Sequence, residues 1–139
     1  MTADTNQNLA DHVRDAALIE RIRTGDRTAF MAFYDRFSPL LFSVAARVLG
    51  DRKEAEDVLQ EVMLVIWNKS GEYNPQLGTL SSWAVALTRN KALDRLRART
   101  RRLRLIEEVA LMAEEMDRGA APTANEANDE AAAPNGDPS

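Results

Sequence analysis

The stretch Asp51–Asn68 constrains this chain more than any other. Its residues Ala55, Val58, Leu59, Val62, Val65 and Ile66 recur at steps of three and four, which at 3.6 residues per turn stacks them on one core-facing side of a helix. Asp51, with Glu54 three residues on, makes a capping-box-like start in which Asp stands in for Ser or Thr. The opposite side carries Asp57, Gln60 and Glu61, with Leu64 near its middle and Met63 and Trp67 on its margin. Leaving a Leu and a Trp in water forgoes roughly 1.5 to 3 kcal/mol each. A face that mixes large apolar groups with carboxylates and an amide therefore suits a partner. Burial on both sides within a bundle fits the same periodicity, and the pattern leaves the two readings open.

The neighbouring segments read as helices too. Leu9–Thr24 carries Leu9, Val13, Ala16, Ala17, Leu18, Ile19 and Ile22 on a broad apolar side, and Gly25 ends it. Asp26 caps a second helix through Phe37, with Ala29, Phe30, Phe33, Tyr34 and Phe37 as an aromatic core stripe. Ser38-Pro39 reads as an N-cap with proline at the first helical position, opening a third helix through Leu49. That helix is apolar nearly all round, so it is expected to be the most buried element. After Asn68 a loop marked by Gly71, Asn74-Pro75 and Gly78 carries Tyr73. Thr79 then caps a last long helix that docks through Leu80, Ala84 and Leu87. The expectation is an all-α, compact bundle of about five helices with a disordered acidic C-terminal tail. Residues 1–8 form a disordered arm, 9–106 the domain, and 107–139 a helix extension followed by linker or tail, since no large apolar residue follows Gly119.

Charge separates one block of the last helix from the rest of the chain. Between Arg89 and Arg104 lie eight basic residues against one acid, Asp94, so that block is plus 7 in a chain of net charge minus 4. Beyond Lys91 the basic residues surround the helix, which such a segment satisfies only by projecting past a core. A local basic block in an acidic protein is the footprint that nucleic-acid phosphates select; pairing with Glu107, Glu108, Glu114 and Glu115 is the plainer alternative. No cysteine is present, the start is polar, and no apolar run reaches membrane-spanning length, so a cytoplasmic protein without disulfides or membrane insertion is expected. One histidine, His12, with no phosphate-binding glycine loop or nucleophile elbow, argues against an enzyme and calls for no cofactor or metal.

Gly25-Asp26 with Ala29-Phe30, then Glu54-Ala55-Glu56-Asp57-Val58-Leu59-Gln60-Glu61, Trp67, Ser82-Trp83, Arg89-Asn90 and Ala92-Leu93-Asp94-Arg95-Leu96-Arg97 resemble region 2 of bacterial RNA polymerase sigma factors. Within the sigma-70 family the likeness is to the extracytoplasmic-function (ECF) group, over about residues 9 to 104. The resemblance implies a transcription initiation domain that binds core RNA polymerase through the beta-prime clamp helices, with Asp57, Gln60, Glu61, Met63, Leu64 and Trp67 at that interface. It further implies recognition and melting of the promoter minus-ten element by capture of the non-template strand as single-stranded DNA. Tyr73 and Trp83 then offer aromatic faces, Asn74, Gln76, Ser81, Ser82 and Asn90 polar groups for bases, and Lys69, Arg89, Lys91, Arg95, Arg97, Arg99, Arg101 and Arg102 hold phosphates.

Each role has a structural rival. Trp83 can pack under its helix, Tyr73 can anchor the loop, and Asn74-Pro75 can serve the turn alone. Val85 stands where some relatives present an aromatic residue, and nothing after Gly119 is able to form the helix-turn-helix of region 4, as expected of a chain cut in the interdomain linker or, as the second alternative, of a protein that works with one domain. An anti-sigma factor covering the polymerase-binding face is a further expectation from the resemblance. A helical protein-protein adaptor with a basic helix end and no specific DNA role is the alternative reading.

Overall fold

The computed structural model describes residues 2–120. Helix α1 spans Thr2–Arg23, α2 Arg27–Leu49, α3 Arg52–Lys69 and α4 Leu80–Ala120, with a single 3-10 turn, Ser70–Glu72, between α3 and α4. The chain is all-α among the described residues, as expected; the tail expected over 121–139 lies outside them. Contacts divide the chain after Arg97, within α4. Helix α1 begins at Thr2 rather than Leu9, so the segment read as an arm is helical from that residue on.

Helix junctions follow local chemistry. At the end of α1, Gly25 adopts a left-handed φ of 89°, the Gly25 N–H bonds the Ile22 carbonyl at 2.9 Å and the Asp26 N–H reaches the Arg21 carbonyl at 3.0 Å. This is the glycine-terminated helix end that leaves few carbonyls unpaired. Asp26 then caps α2 by accepting from the Ala29 N–H at 3.2 Å, and pairs with Arg21 Nε at 2.9 Å. The bond from Ala29, followed by that from Arg21, holds the Asp26 carboxyl below its usual range. Gly50, at φ 64°, also ends its helix left-handed, with its N–H on the Ala46 carbonyl at 2.8 Å, and Asp51 caps α3 through the Glu54 N–H at 3.0 Å. A side-chain oxygen that takes a helix-end N–H is the reason both aspartates stop one helix and start the next.

Pro39 corrects the expected helix count. The second and third expected helices are one, α2, with Pro39 inside it. Proline removes the N–H owed to the carbonyl four residues back and disfavours a helix interior by about 3 kcal/mol. Against that, Phe33, Phe37, Leu41 and Ala45 are all buried along the same helix, and the Phe33 and Phe37 rings stack at 4.6 Å. Burial of about 1.5 to 3 kcal/mol per large side chain on both sides of Pro39 outweighs the penalty. Ser38 is therefore no cap; its Oγ is buried without a hydrogen-bond partner. The C-terminal half of α2 is also less enclosed than expected, with Leu40 42% exposed and Phe42, Val44 and Val48 half-buried.

Helix α2 packs most extensively on α3. Phe33 and Leu41 meet Val58, Val62 and Ile66 of α3, Ile19 and Ile22 of α1, and Leu80, Ala84 and Ala92 of α4 in one buried cluster. Asp15 of α1 is buried, and Arg36 of α2 donates to it at 2.6 Å, so the charge entering this layer is paired. The first half of α1 contributes less than its pattern promised, since Leu9 and Val13 are each 61% exposed. From residue 101 to Gly119 every side chain of α4 is exposed. No described helix is long and apolar enough to cross a membrane.

Candidate functional site

The outward side of α3 remains open. Leu64 is 62% exposed, Gln60 and Glu61 are exposed, and Asp57 and Trp67 are half-buried. The alternative of burial on both sides is thereby removed. Trp67 leans edge-on against Phe30 of α2, centroids 5.2 Å apart. Between the two helices lies an apolar groove of about 390 Å³, lined by Arg27, Phe30, Met31 and Tyr34 from α2 and by Gln60, Met63, Leu64 and Trp67 from α3. Gln60 Nε2 donates to the Tyr34 hydroxyl at 3.4 Å across its rim.

Met63 is the correction within this set. It is 3% exposed and belongs to the core, so it floors the groove instead of reaching out of it. One residue is about 100° on a helix, enough to turn Met63 inward while Leu64 points out. The sequence reading missed Met31, 53% exposed, and assigned Phe30 and Tyr34 wholly to the core. Their spacing held the signal, because Arg27, Phe30, Met31 and Tyr34 recur at three and four on one strip of α2.

The loop between α3 and α4 is built around Tyr73. Tyr73 is only 8% exposed, its hydroxyl donates to the Gly78 carbonyl at 2.9 Å, and its ring lies 5.4 Å from Trp83, tilted by 47°. Burial, and secondly the charge of Asp15, push its phenol above the ordinary value. Tyr73 is thus the loop anchor, and Trp83, half-buried, packs on it while keeping part of its surface open. Asn74 Oδ1 accepts from the Gln76 N–H at 2.9 Å, the self-contained turn that asparagine favours. Gly78 sits where an added Cβ would come 3.0 Å from Ser82 Oγ.

These contacts leave a cavity of about 260 Å³ lined by Glu72, Tyr73, Asn74, Leu77, Gly78, Ser82, Trp83 and Ala86. Leu77, 86% exposed at its lip, was not singled out from sequence, where a leucine among turn residues gives no periodic signal. Thr79 caps α4 as expected: its Oγ1 accepts from the Ser82 N–H at 3.0 Å, and Ser82 Oγ donates to the Thr79 carbonyl at 3.0 Å. Ser82 is therefore tied into the cap, and Ser81 is half-buried. Asn90 is exposed, on the helix face that carries Trp83 and Ala86 into the cavity wall.

The basic residues divide by their partners. Lys69, Arg89, Arg97, Arg101 and Arg102 are exposed, with Arg97 paired to Asp94 at 3.2 Å; Lys91 and Arg99 are half-buried. Arg95 differs. Its Nη1 lies 3.8 Å from Asp57 and 3.7 Å from Glu61 and is itself buried without a hydrogen bond. A residue read as a phosphate contact thus stands between two carboxylates of the α3 face.

A model of sigma-70 region 2 matches residues 33–102, which takes in the groove face of α3, the Tyr73 loop and the first half of α4. The chain is 34% identical over 82 residues to the ECF RNA polymerase sigma factor SigK of Mycobacterium ulcerans (strain Agy99), covering 59% of this chain and 44% of that protein. It is also 34% identical over 82 residues to SigK of Mycolicibacterium vanbaalenii, covering 59% and 42%, and 31% identical over 81 residues to SigK of Mycobacterium tuberculosis (strain ATCC 25177 / H37Ra), covering 58% and 43%. The chain spans less than half the length of these curated relatives. With the family model spanning half of its residues, the chain belongs to the sigma-70 family of RNA polymerase sigma factors, in the extracytoplasmic-function group.

Proposed function

We propose that this chain is the region 2 part of a transcription initiation factor acting in the cytoplasm. The groove between α2 and α3 docks on core RNA polymerase, at the beta-prime clamp helices, with Leu64 and Trp67 as apolar anchors and Asp57, Gln60 and Glu61 as the polar rim. Met63 supports that surface from beneath. The cavity beside Tyr73 receives a base extruded from the non-template strand of the minus-ten element. There Trp83 and Leu77 offer apolar surface, and Asn74, Gln76 and Asn90 lie within reach of base edges. Lys69, Arg89, Lys91, Arg97, Arg99, Arg101 and Arg102 supply phosphate affinity that is largely independent of sequence. Binding energy gathered along the strand offsets the few kcal/mol that unstacking a base costs, which is how such a surface favours melted DNA. An anti-sigma factor that covers the α2–α3 groove fits the same apolar surface.

One observation carries the reading: Leu64 stays 62% exposed beside the half-buried Trp67, on a helix whose other side is sealed. The test is titration of labelled single-stranded minus-ten-like DNA and of core polymerase at several salt concentrations. A log-log fall of DNA affinity with salt, and saturable binding of polymerase that Leu64→Asp abolishes, are expected. Polymerase binding without measurable DNA binding at any salt replaces this reading with a helical adaptor.

A further inference from the structure

Arg95 has no part in the proposed function, and its surroundings are not those of a strand contact. Its side chain is 34% exposed where that of Arg97 is 63%, and its Nη1 is buried. Asp57 and Glu61 stand one turn apart on α3, at i and i+4, where two like charges repel and turn away from each other into water. A cation set between them removes that repulsion. Arg95, reaching over from α4, lies 3.8 Å from the first and 3.7 Å from the second. Lys53 of α3 itself also approaches Asp57, at 3.7 Å, and Arg52 takes Glu56 at 3.5 Å. Among the described residues Glu61 pairs with Arg95 alone.

These separations hold charge without spending hydrogen bonds. The three distances to Asp57 and Glu61 lie beyond hydrogen-bond range, so both carboxylates keep their acceptor oxygens open toward a partner. A guanidinium suits the task, because its rigid fork serves two carboxylates at once where an ammonium is a single point of charge. We propose that Arg95 is a positioning residue of the docking face, holding Asp57 and Glu61 in place on the rim of the α2–α3 groove so that cations of a docking helix meet carboxylates already ordered. Ordering side chains ahead of binding removes that cost from association. This role rests on the docking of that groove on core RNA polymerase. It runs against a simple count of charge: loss of Arg95 makes the rim more negative and quickens encounter with a basic partner, yet loosens the complex once formed.

Stopped-flow binding of the full chain to core RNA polymerase, at about 0.1 M and about 0.5 M salt, separates the two effects. Arg95→Met is expected to speed dissociation about three- to tenfold without slowing association, and Arg95→Lys to recover part of the loss. In an Asp57→Asn, Glu61→Gln background, Arg95→Met is expected to change dissociation no further, because it acts through those two groups. The salt slope of single-strand DNA binding is expected to stay at its wild-type value in Arg95→Met. Urea midpoints followed by circular dichroism control for folding in each variant. Tighter polymerase binding by Arg95→Met overturns the proposal and makes Arg95 a competitor of the partner's cations. A shallower DNA slope with unchanged polymerase kinetics overturns it and returns Arg95 to the strand. Leu64→Asp separates the layers: if it abolishes polymerase binding while Arg95→Met is silent, the positioning role alone falls, whereas if it leaves binding intact, the docking face falls and the role of Arg95 with it.

Discussion

Alanine at Leu64 and at Met63, one at a time, separates the binding role of α3 from its structural one. Met63 is 3% exposed and packed in the core, so its truncation removes buried methylenes and leaves a cavity, a loss of about 2 to 5 kcal/mol. Leu64 is 62% exposed. With about two-fifths of its surface covered, folding stands to lose about 0.6 to 1.2 kcal/mol, partly offset by the better helix propensity of alanine. The uncovered remainder is worth about 1 to 2 kcal/mol once a partner closes over it, a factor of about 5 to 30 in affinity. Urea denaturation followed by circular dichroism measures the first quantity, and a fluorescence titration with core RNA polymerase the second. Met63→Ala is expected to lower the denaturation midpoint sharply. Leu64→Ala is expected to leave the midpoint nearly in place and weaken polymerase binding. Leu64→Ala that unfolds as readily as Met63→Ala, or that binds polymerase like wild type, refutes the assignment of this face.

Three further outcomes test the site. Tyr73→Phe removes the bond to the Gly78 carbonyl and is expected to cost about 0.5 to 1.5 kcal/mol. Because burial raises the folded Tyr73 pKa, its contribution is present below the ordinary phenol value of 10.0 and lost as pH rises through the folded value; denaturation midpoints should fall on alkaline titration in wild type and less in Tyr73→Phe. Arg36→Met strands the buried Asp15 carboxylate and is expected to destabilise by about 1 to 3 kcal/mol, with Asp15→Asn in the same chain recovering part of it by calorimetry. Asp57→Asn with Glu61→Gln releases Arg95 from its two carboxylates and is expected to steepen the salt dependence of single-strand binding by about one phosphate contact. Arg95→Ala in that background should cancel the change, and an unaltered slope in the double variant refutes it.

Most of the helix junctions were legible from residues alone. Gly25-Asp26, Gly50-Asp51 and Thr79 mark helix ends in the sequence and make the capping bonds in the structure. A cap is satisfied within three residues, so no distant part of the chain is needed to form it. The mixed face of α3 was legible for the same reason, because 3.6 residues per turn assigns sides without knowledge of the neighbours. The basic block is a property of composition and is visible before any folding.

What neighbours decide was not legible. Pro39 reads as a start, yet aromatic and aliphatic burial on either side of it carries the helix through. Met63, on the margin of the polar face, could fall to either side, and only the seat of α2 against α3 turns it into floor while Leu64, near the middle of that face, stays in water. Tyr73 is anchor instead of free aromatic face because the Gly78 carbonyl comes within hydrogen-bonding distance when the loop closes. Arg95 meets Asp57 and Glu61 across more than thirty positions of sequence, a pairing no local pattern encodes. Sequence by itself thus determined the elements and their chemistry, since both arise from interactions a few residues long; tertiary structure decided which side chains are spent on the fold and which remain for a partner, since burial is set by whatever the rest of the chain brings alongside.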